Sequence, residues 1–146
     1  MKPFSLQTVL DYRKRLEDIA RHRLLEAKNV RQAVEKKLTD EVEALALFID
    51  ETERMQAEGI GITELIRNED SITRRKNNIQ AIKKNLTEKT ELVRKEQENL
   101  IGRSKERQIM EQLKETQNSA WQGYLNKKEA AMLDEIATTR HGADTY

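Results

Sequence analysis

Apolar residues return at steps of mostly three or four along the first part of the chain: Leu6, Val9/Leu10, Leu16, Ile19/Ala20, Leu24, Ala27, Val30, Val34, Leu38, Val42, Leu45, Phe48/Ile49 and Met55. That spacing places them on one stripe of a helix, with charged residues between. Pro3 and Ser5 suit the helix entrance, where a missing N–H and a hydroxyl cap are tolerated. The pattern breaks at Gly59-Ile60-Gly61. A helix over about 5–58 is expected, on the order of 80 Å long at 1.5 Å per residue.

Ile60, Ile62, Leu65 and Ile66 form a short apolar patch after the break, and Thr63 is placed to cap one or two helical turns there. A turn with a short helical segment is therefore expected over about 59–70. The stripe resumes at Ile72, Ile79, Ile82, Leu86, Val93, Leu100/Ile101, Ile109/Met110, Leu113, Ala120/Trp121, Tyr124, Ala131, Leu133 and Ile136/Ala137. This predicts a second helix over about 71–140, with Gly142 as its C-cap and Arg140 and His141 complementing the helix dipole. Gly102 and Gly123 are weak points within it, costing about 1 kcal/mol each relative to Ala.

Composition agrees with long helices and argues against a thick core. Of 146 residues 36% are charged and only 4% aromatic, and Pro3 is the single proline. Charge also predicts how the helices pair. Residues 40–70 carry ten acids against Arg54 and Arg67, whereas residues 71–89 carry six bases against Glu88. Folding back at the glycines sets these blocks face to face and selects an antiparallel register, although each exposed pair contributes only about 0–1 kcal/mol. The same fold-back is expected to bring Leu6 and Leu10 near Tyr124 and Trp121. The expected fold is all-α, an antiparallel two-helix coiled coil (a long α-hairpin) forming a single domain over 1–146.

The totals exclude several function classes. Lys plus Arg (27) nearly cancels Asp plus Glu (26), a balance at odds with non-specific nucleic-acid binding. Without cysteine there is no disulfide framework, thiol catalysis or thiolate metal site. The first residues lack the apolar core of a secretion signal, and no 18-residue apolar run is present to insert into a bilayer. A cytoplasmic protein is expected.

Candidate chemistry is sparse. His22 lies between Arg21 and Arg23, a cationic setting unfavourable to a metal ion, and His141 belongs to the last turn. Asp134 and Glu135 are sequence neighbours, so a helix points them about 100° apart and they do not converge on one substrate atom. The basic runs Arg13-Lys14-Arg15 and Arg74-Arg75-Lys76 lie among acids and without interleaved aromatics, the pattern of a solvated face. Trp121 and Tyr124 share a helix face and read either as seam packing or as an anchor for a partner. No catalytic residue, cofactor or metal is expected, so the chain reads as a lever or binding surface rather than an enzyme.

Three stretches together resemble a known family. The opening Pro3-Phe4-Ser5-Leu6-Gln7-Thr8-Val9-Leu10-Asp11-Tyr12-Arg13 resembles the Phe-x-Leu-x-x-Leu-Leu-x-x-Arg start of the FliJ family. The charged stretch Lys105 to Glu115 resembles that family's Leu-Glu-x-Leu segment, with Met110 in place of the first Leu. The closing Glu129-x-x-x-Leu133-Asp134-Glu135-Ile136-Ala137 resembles its Glu-x-x-x-Leu-Asp-Glu-x-Ala signature. The resemblance implies a non-catalytic, stalk-like component of the flagellar type III protein export apparatus, similar to the central stalk of rotary ATPases.

Its implied partners are the hexameric export ATPase, the transmembrane export gate protein and the export chaperones, with no nucleic acid and no direct membrane insertion. The implied location is the cytoplasm, at the inner face of the membrane at the flagellar base. Carried over residue by residue, the ATPase-facing end comprises Phe4, Leu6, Leu10 and Arg13 on the first helix and Leu133, Asp134, Glu135 and Ala137 on the second. Leu45, Ile49 and Ile72 are the corresponding gate candidates. Rival readings are the equivalent stalk of a virulence secretion system and a free-standing coiled coil that dimerises into a four-helix bundle.

Overall fold

A computed structural model describes the backbone of residues 4–144 and side chains through residue 142; the helix-entrance role expected of Pro3 lies outside the described residues. Two α-helices account for nearly all of it: α1 over Gln7–Glu58 and α2 over Ile62–Asp144. They pack on each other as a helical hairpin, and no strand occurs among the described residues.

The turn is three residues long. Gly59 takes φ +95°, a left-handed conformation that glycine adopts without a Cβ penalty, and its N–H donates to the Gln56 carbonyl at 3.2 Å. The Gly61 carbonyl accepts from the Leu65 N–H at 3.1 Å, making Gly61 the N-cap of α2, and Glu64 adds an acid to its first turn. Two expectations change here. The segment after the turn is no separate element capped by Thr63, because α2 begins at Ile62 and runs on without a break. At the other end α2 continues to Asp144, so Gly142 is helical rather than the residue that stops it.

Burial follows a seven-residue repeat. On α1 it runs through Leu10, Arg13, Glu17, Ala20, Leu24, Ala27, Arg31, Val34, Leu38, Glu41, Leu45, Phe48, Thr52 and Met55, at alternating steps of three and four, with Gln7, Leu16, Ala44 and Ile49 partly sheltered beside it. On α2 the same alternation runs from Leu65 through Ile72, Ile79, Ile82, Leu86, Val93, Leu100, Arg107, Met110 and Lys114 to Trp121. A repeat of 3.5 residues is the seam of a coiled coil. It resolves the paired alternatives in the stripe: Leu10 and Ala20 are buried, and Val9 and Ile19 are exposed.

Contacts divide the chain into two compact units. One spans Ala20–Leu100. Its seam is mostly aliphatic, with Leu24, Ala27 and Val93 packed together against Leu100. Thr52 is buried as well, and its hydroxyl is satisfied by the Phe48 carbonyl at 2.7 Å. From the two charge blocks, Glu41 lines one shallow depression with Arg74 and Arg75. Arg75 also lies over the Phe48 ring, 4.9 Å from its centroid.

The other unit joins the start of α1, up to Ile19, to α2 from Ile101 onward. Its apolar centre is Phe4, Leu10 and Met110, all buried. Around them the seam turns polar. Glu17 is buried and accepts from Arg107 at 2.8 Å, and Arg107 also donates to Glu111 at 2.7 Å. Arg13 pairs with Glu106 across the seam at 3.6 Å. Hydrogen bonding to Glu17 holds the Arg107 guanidinium more firmly protonated than usual.

Candidate protein-docking surface

The unequal helix lengths create this surface. A three-residue turn forces antiparallel levels to run in step, so each residue back along α1 faces one residue further along α2. Leu10 meets Met110, not Tyr124 or Trp121 as expected from the stripe alone. Phe4 therefore stands level with about residue 116 at the 1.5 Å rise both helices share. Beyond Trp121 there is no α1 to pack against, and every residue from Gln122 to Gly142 is exposed. Leu133 lies 23 residues past Met110, about 35 Å along the helix.

The expected ATPase-facing residues consequently fall into two groups that the fold does not bring together. Phe4 and Leu10 are core residues, with Leu10 only 1% exposed. Leu6 on the same turn is exposed, and Arg13 is half-buried in its pair with Glu106. Leu133, Asp134, Glu135 and Ala137 are all exposed on the overhang. Leu133, Ile136 and Ala137 do not extend the seam. In the register set from Leu65 to Trp121 the next seam positions are Tyr124, Lys128, Ala131, Glu135 and Thr138.

The apolar residues of the overhang stand on a different face. Leu125, Met132 and Ile136 recur at steps of seven and four, turned about one residue, or 100°, from the seam. Leu133 and Ala137 widen that face. Met132, Glu135, Ile136, Thr139 and Arg140 line one shallow depression on it. The Thr138 and Thr139 hydroxyls donate back to the Asp134 and Glu135 carbonyls at 2.8 and 2.9 Å, and His141 is the basic residue of the last turn. At the root of the overhang Trp121 and Tyr124 stack at 5.5 Å with their planes 24° apart. Leu125 and Met132 are absent from the stripe read off the sequence. The signal that finds them is the repeat's phase, which a stripe assembled from steps of either three or four does not track.

In the Ala20–Leu100 unit, Leu45 and Ile72 occupy seam positions, whereas Ile49 is half-buried one residue beyond the seam position Phe48. Leu47 and Ile62, 70% and 74% exposed, are the apolar side chains most open to solvent there, and Ile66 is exposed one turn from Ile62. Among the described residues, no cluster of three or more His, Cys, Asp or Glu is placed to hold a metal ion, and no helix is long and apolar enough to cross a membrane.

A family model described as Flagellar FliJ protein matches residues 1–144. Among curated proteins and among solved structures the chain finds no significant match.

Proposed function

We propose, since the chain belongs to the FliJ family and is thereby a flagellar export-related protein, that it serves the hexameric export ATPase as a non-catalytic stalk and links it to the export gate and substrate chaperones. The observation that carries this reading is the exposed, uninterrupted end of α2 from Gln122 to Gly142. A single helix with apolar and charged faces can enter a space between subunits that a paired coil is too thick to enter. In this reading Leu133, Asp134, Glu135 and Ala137 make the deepest contacts with the ATPase. Leu6, on the exposed side of α1's first turn, adds a contact nearer the pore mouth, while Phe4, Leu10 and Arg13 hold α1 against α2.

One asymmetric helix inside a six-fold ring touches six equivalent subunits unequally, since the symmetry of the two does not match. That inequality stabilises some subunit conformations over others and is how a stalk without an active site promotes assembly or ordered hydrolysis. For the gate, Ile49 is the candidate with apolar surface beside rather than within the seam; Leu45 and Ile72 act indirectly by holding the helices in register. Export chaperones and a peripheral position at the membrane's inner face at the flagellar base complete the reading.

The test is the hydrolysis rate of the export ATPase with and without this protein. Stimulation is expected, and it should fall when Leu133, Asp134 and Glu135 are together replaced by Ala while helicity is unchanged. Full stimulation by that triple variant excludes the overhang as the ATPase contact.

A further inference from the structure

Leu125, Met132 and Ile136, with Glu129 at the step between the first two, leave a mainly apolar stripe on the overhang that no length of α1 on the seam's register would cover, because it is out of phase with the seam. The charges beside the stripe are arranged in a specific way. Lys128 and Glu135 are seven residues apart, so they lie on the same flank, nearly one above the other. In a two-fold antiparallel pair of helices the same flank of each copy comes together. Lys128 of one copy then meets Glu135 of the other, and the reverse, about a centre between Ala131 and Met132. That centre also sets Met132 beside its own counterpart and Leu125 within a turn of the second copy's Ile136. A parallel pairing offers no such match, because it puts each charge level with its own kind.

We infer that a second copy of this chain covers the overhang, the two α2 ends pairing antiparallel through Leu125, Met132 and Ile136 with reciprocal Lys128–Glu135 ion pairs. The charge pattern is complementary to itself, and that is the argument for a second copy over an unrelated helix. The contact is small and partly electrostatic, so it forms and dissolves with concentration and salt. Pairing hides the surface that the proposed function assigns to the ATPase, and free protein would carry that surface masked until the ATPase displaces the second copy. The pairing itself does not depend on the ATPase reading.

Analytical ultracentrifugation of the full chain at low salt, over a range of concentrations up to about 0.5 mM, tests it. A monomer–dimer equilibrium is expected, weakened by added salt. Lys128→Glu should raise the dissociation constant by about tenfold, since symmetry breaks two ion pairs at once. The doubly reversed Lys128→Glu/Glu135→Lys variant should return to within about threefold of the original. Met132→Glu should abolish association. All three positions, Lys128, Met132 and Glu135, are exposed, so circular dichroism is expected to be unchanged throughout. A monomer at every concentration overturns the inference, as does a dimer indifferent to Lys128→Glu and Met132→Glu, or a double reversal that fails to rescue. A dimer that the ATPase cannot dissolve counts against the stalk reading instead, and so the two failures are distinguishable.

Discussion

Glu17 and Arg107 sit where a coiled coil ordinarily places aliphatic side chains, and the consequence is conditional stability. Removing one member of a sheltered ion pair leaves the other charge poorly solvated, whereas replacing both with apolar groups removes the problem. Arg107→Ala is therefore expected to cost about 2–3 kcal/mol in urea unfolding, and Glu17→Leu/Arg107→Leu to recover most of that loss. The pair then acts mainly on register, since only one alignment of the helices satisfies it.

The glycines divide in the opposite way. A Cβ at Gly102 meets nothing within 4 Å, so Gly102→Ala should stabilise the helix by about 0.5–1 kcal/mol. Gly59→Ala must adopt φ +95° and should destabilise by a similar amount or more. Equilibrium denaturation of the two variants gives shifts of opposite sign. A third residue-scale effect is titratable. The Arg94 guanidinium, hydrogen-bonded to Glu91 at 2.9 Å and also paired with Glu98, holds the Glu91 carboxyl below its ordinary 4.5. A lowered carboxyl contributes stability that is present above its unfolded value and lost as pH falls through the lowered one. The Glu91 midpoint, followed by NMR, should rise toward 4.5 in Arg94→Gln.

At the scale of the helix, most of the fold was legible in the sequence and one feature was not. Two glycines bracketing Ile60 mark the turn, a turn that short makes the pairing antiparallel, and aliphatic residues at steps of three and four mark the seam from Leu24 to Leu100. What the stripe could not convey is level. Counting from the turn makes Met110 the partner of Leu10, and α2 then runs on past the start of α1, its residues from Gln122 to Gly142 all exposed. Leu133 and Ile136 look like seam residues until the seven-residue phase is carried past Trp121, where it selects Lys128 and Glu135 instead. The seam's polar members, Arg13, Glu17 and Arg107, were hidden for the complementary reason: an apolar pattern has no way to register a charged residue sheltered by its partner. Because the overhang makes no seam contact, deleting residues 126–146 should leave the thermal midpoint of the hairpin within about 2 °C, the shift expected of less than about 0.5 kcal/mol. A large drop would show that the end of α2 is packed after all.

For the molecule as a whole, the proposed function asks one chain to serve two tasks, and an overhang that adds little to the hairpin's stability would allow it. The Ala20–Leu100 unit concentrates the aliphatic seam, and the unit formed by the two terminal regions carries a polar seam and an exposed helix end. Substitutions should accordingly separate by unit. Deleting residues 126–146 should abolish stimulation of the export ATPase without changing the hairpin's unfolding. Leu47→Asp and Ile62→Asp, both at highly exposed positions of the other unit, should leave stimulation within about twofold of the original, since exposed substitutions rarely alter stability by more than about 0.5 kcal/mol. If the same two variants lose binding to the isolated gate protein, the gate contact belongs to Leu47 and Ile62 rather than to Ile49. Loss of ATPase stimulation by Leu47→Asp, with helicity intact, would instead place the ATPase contact near the turn and reverse the assignment of the two units.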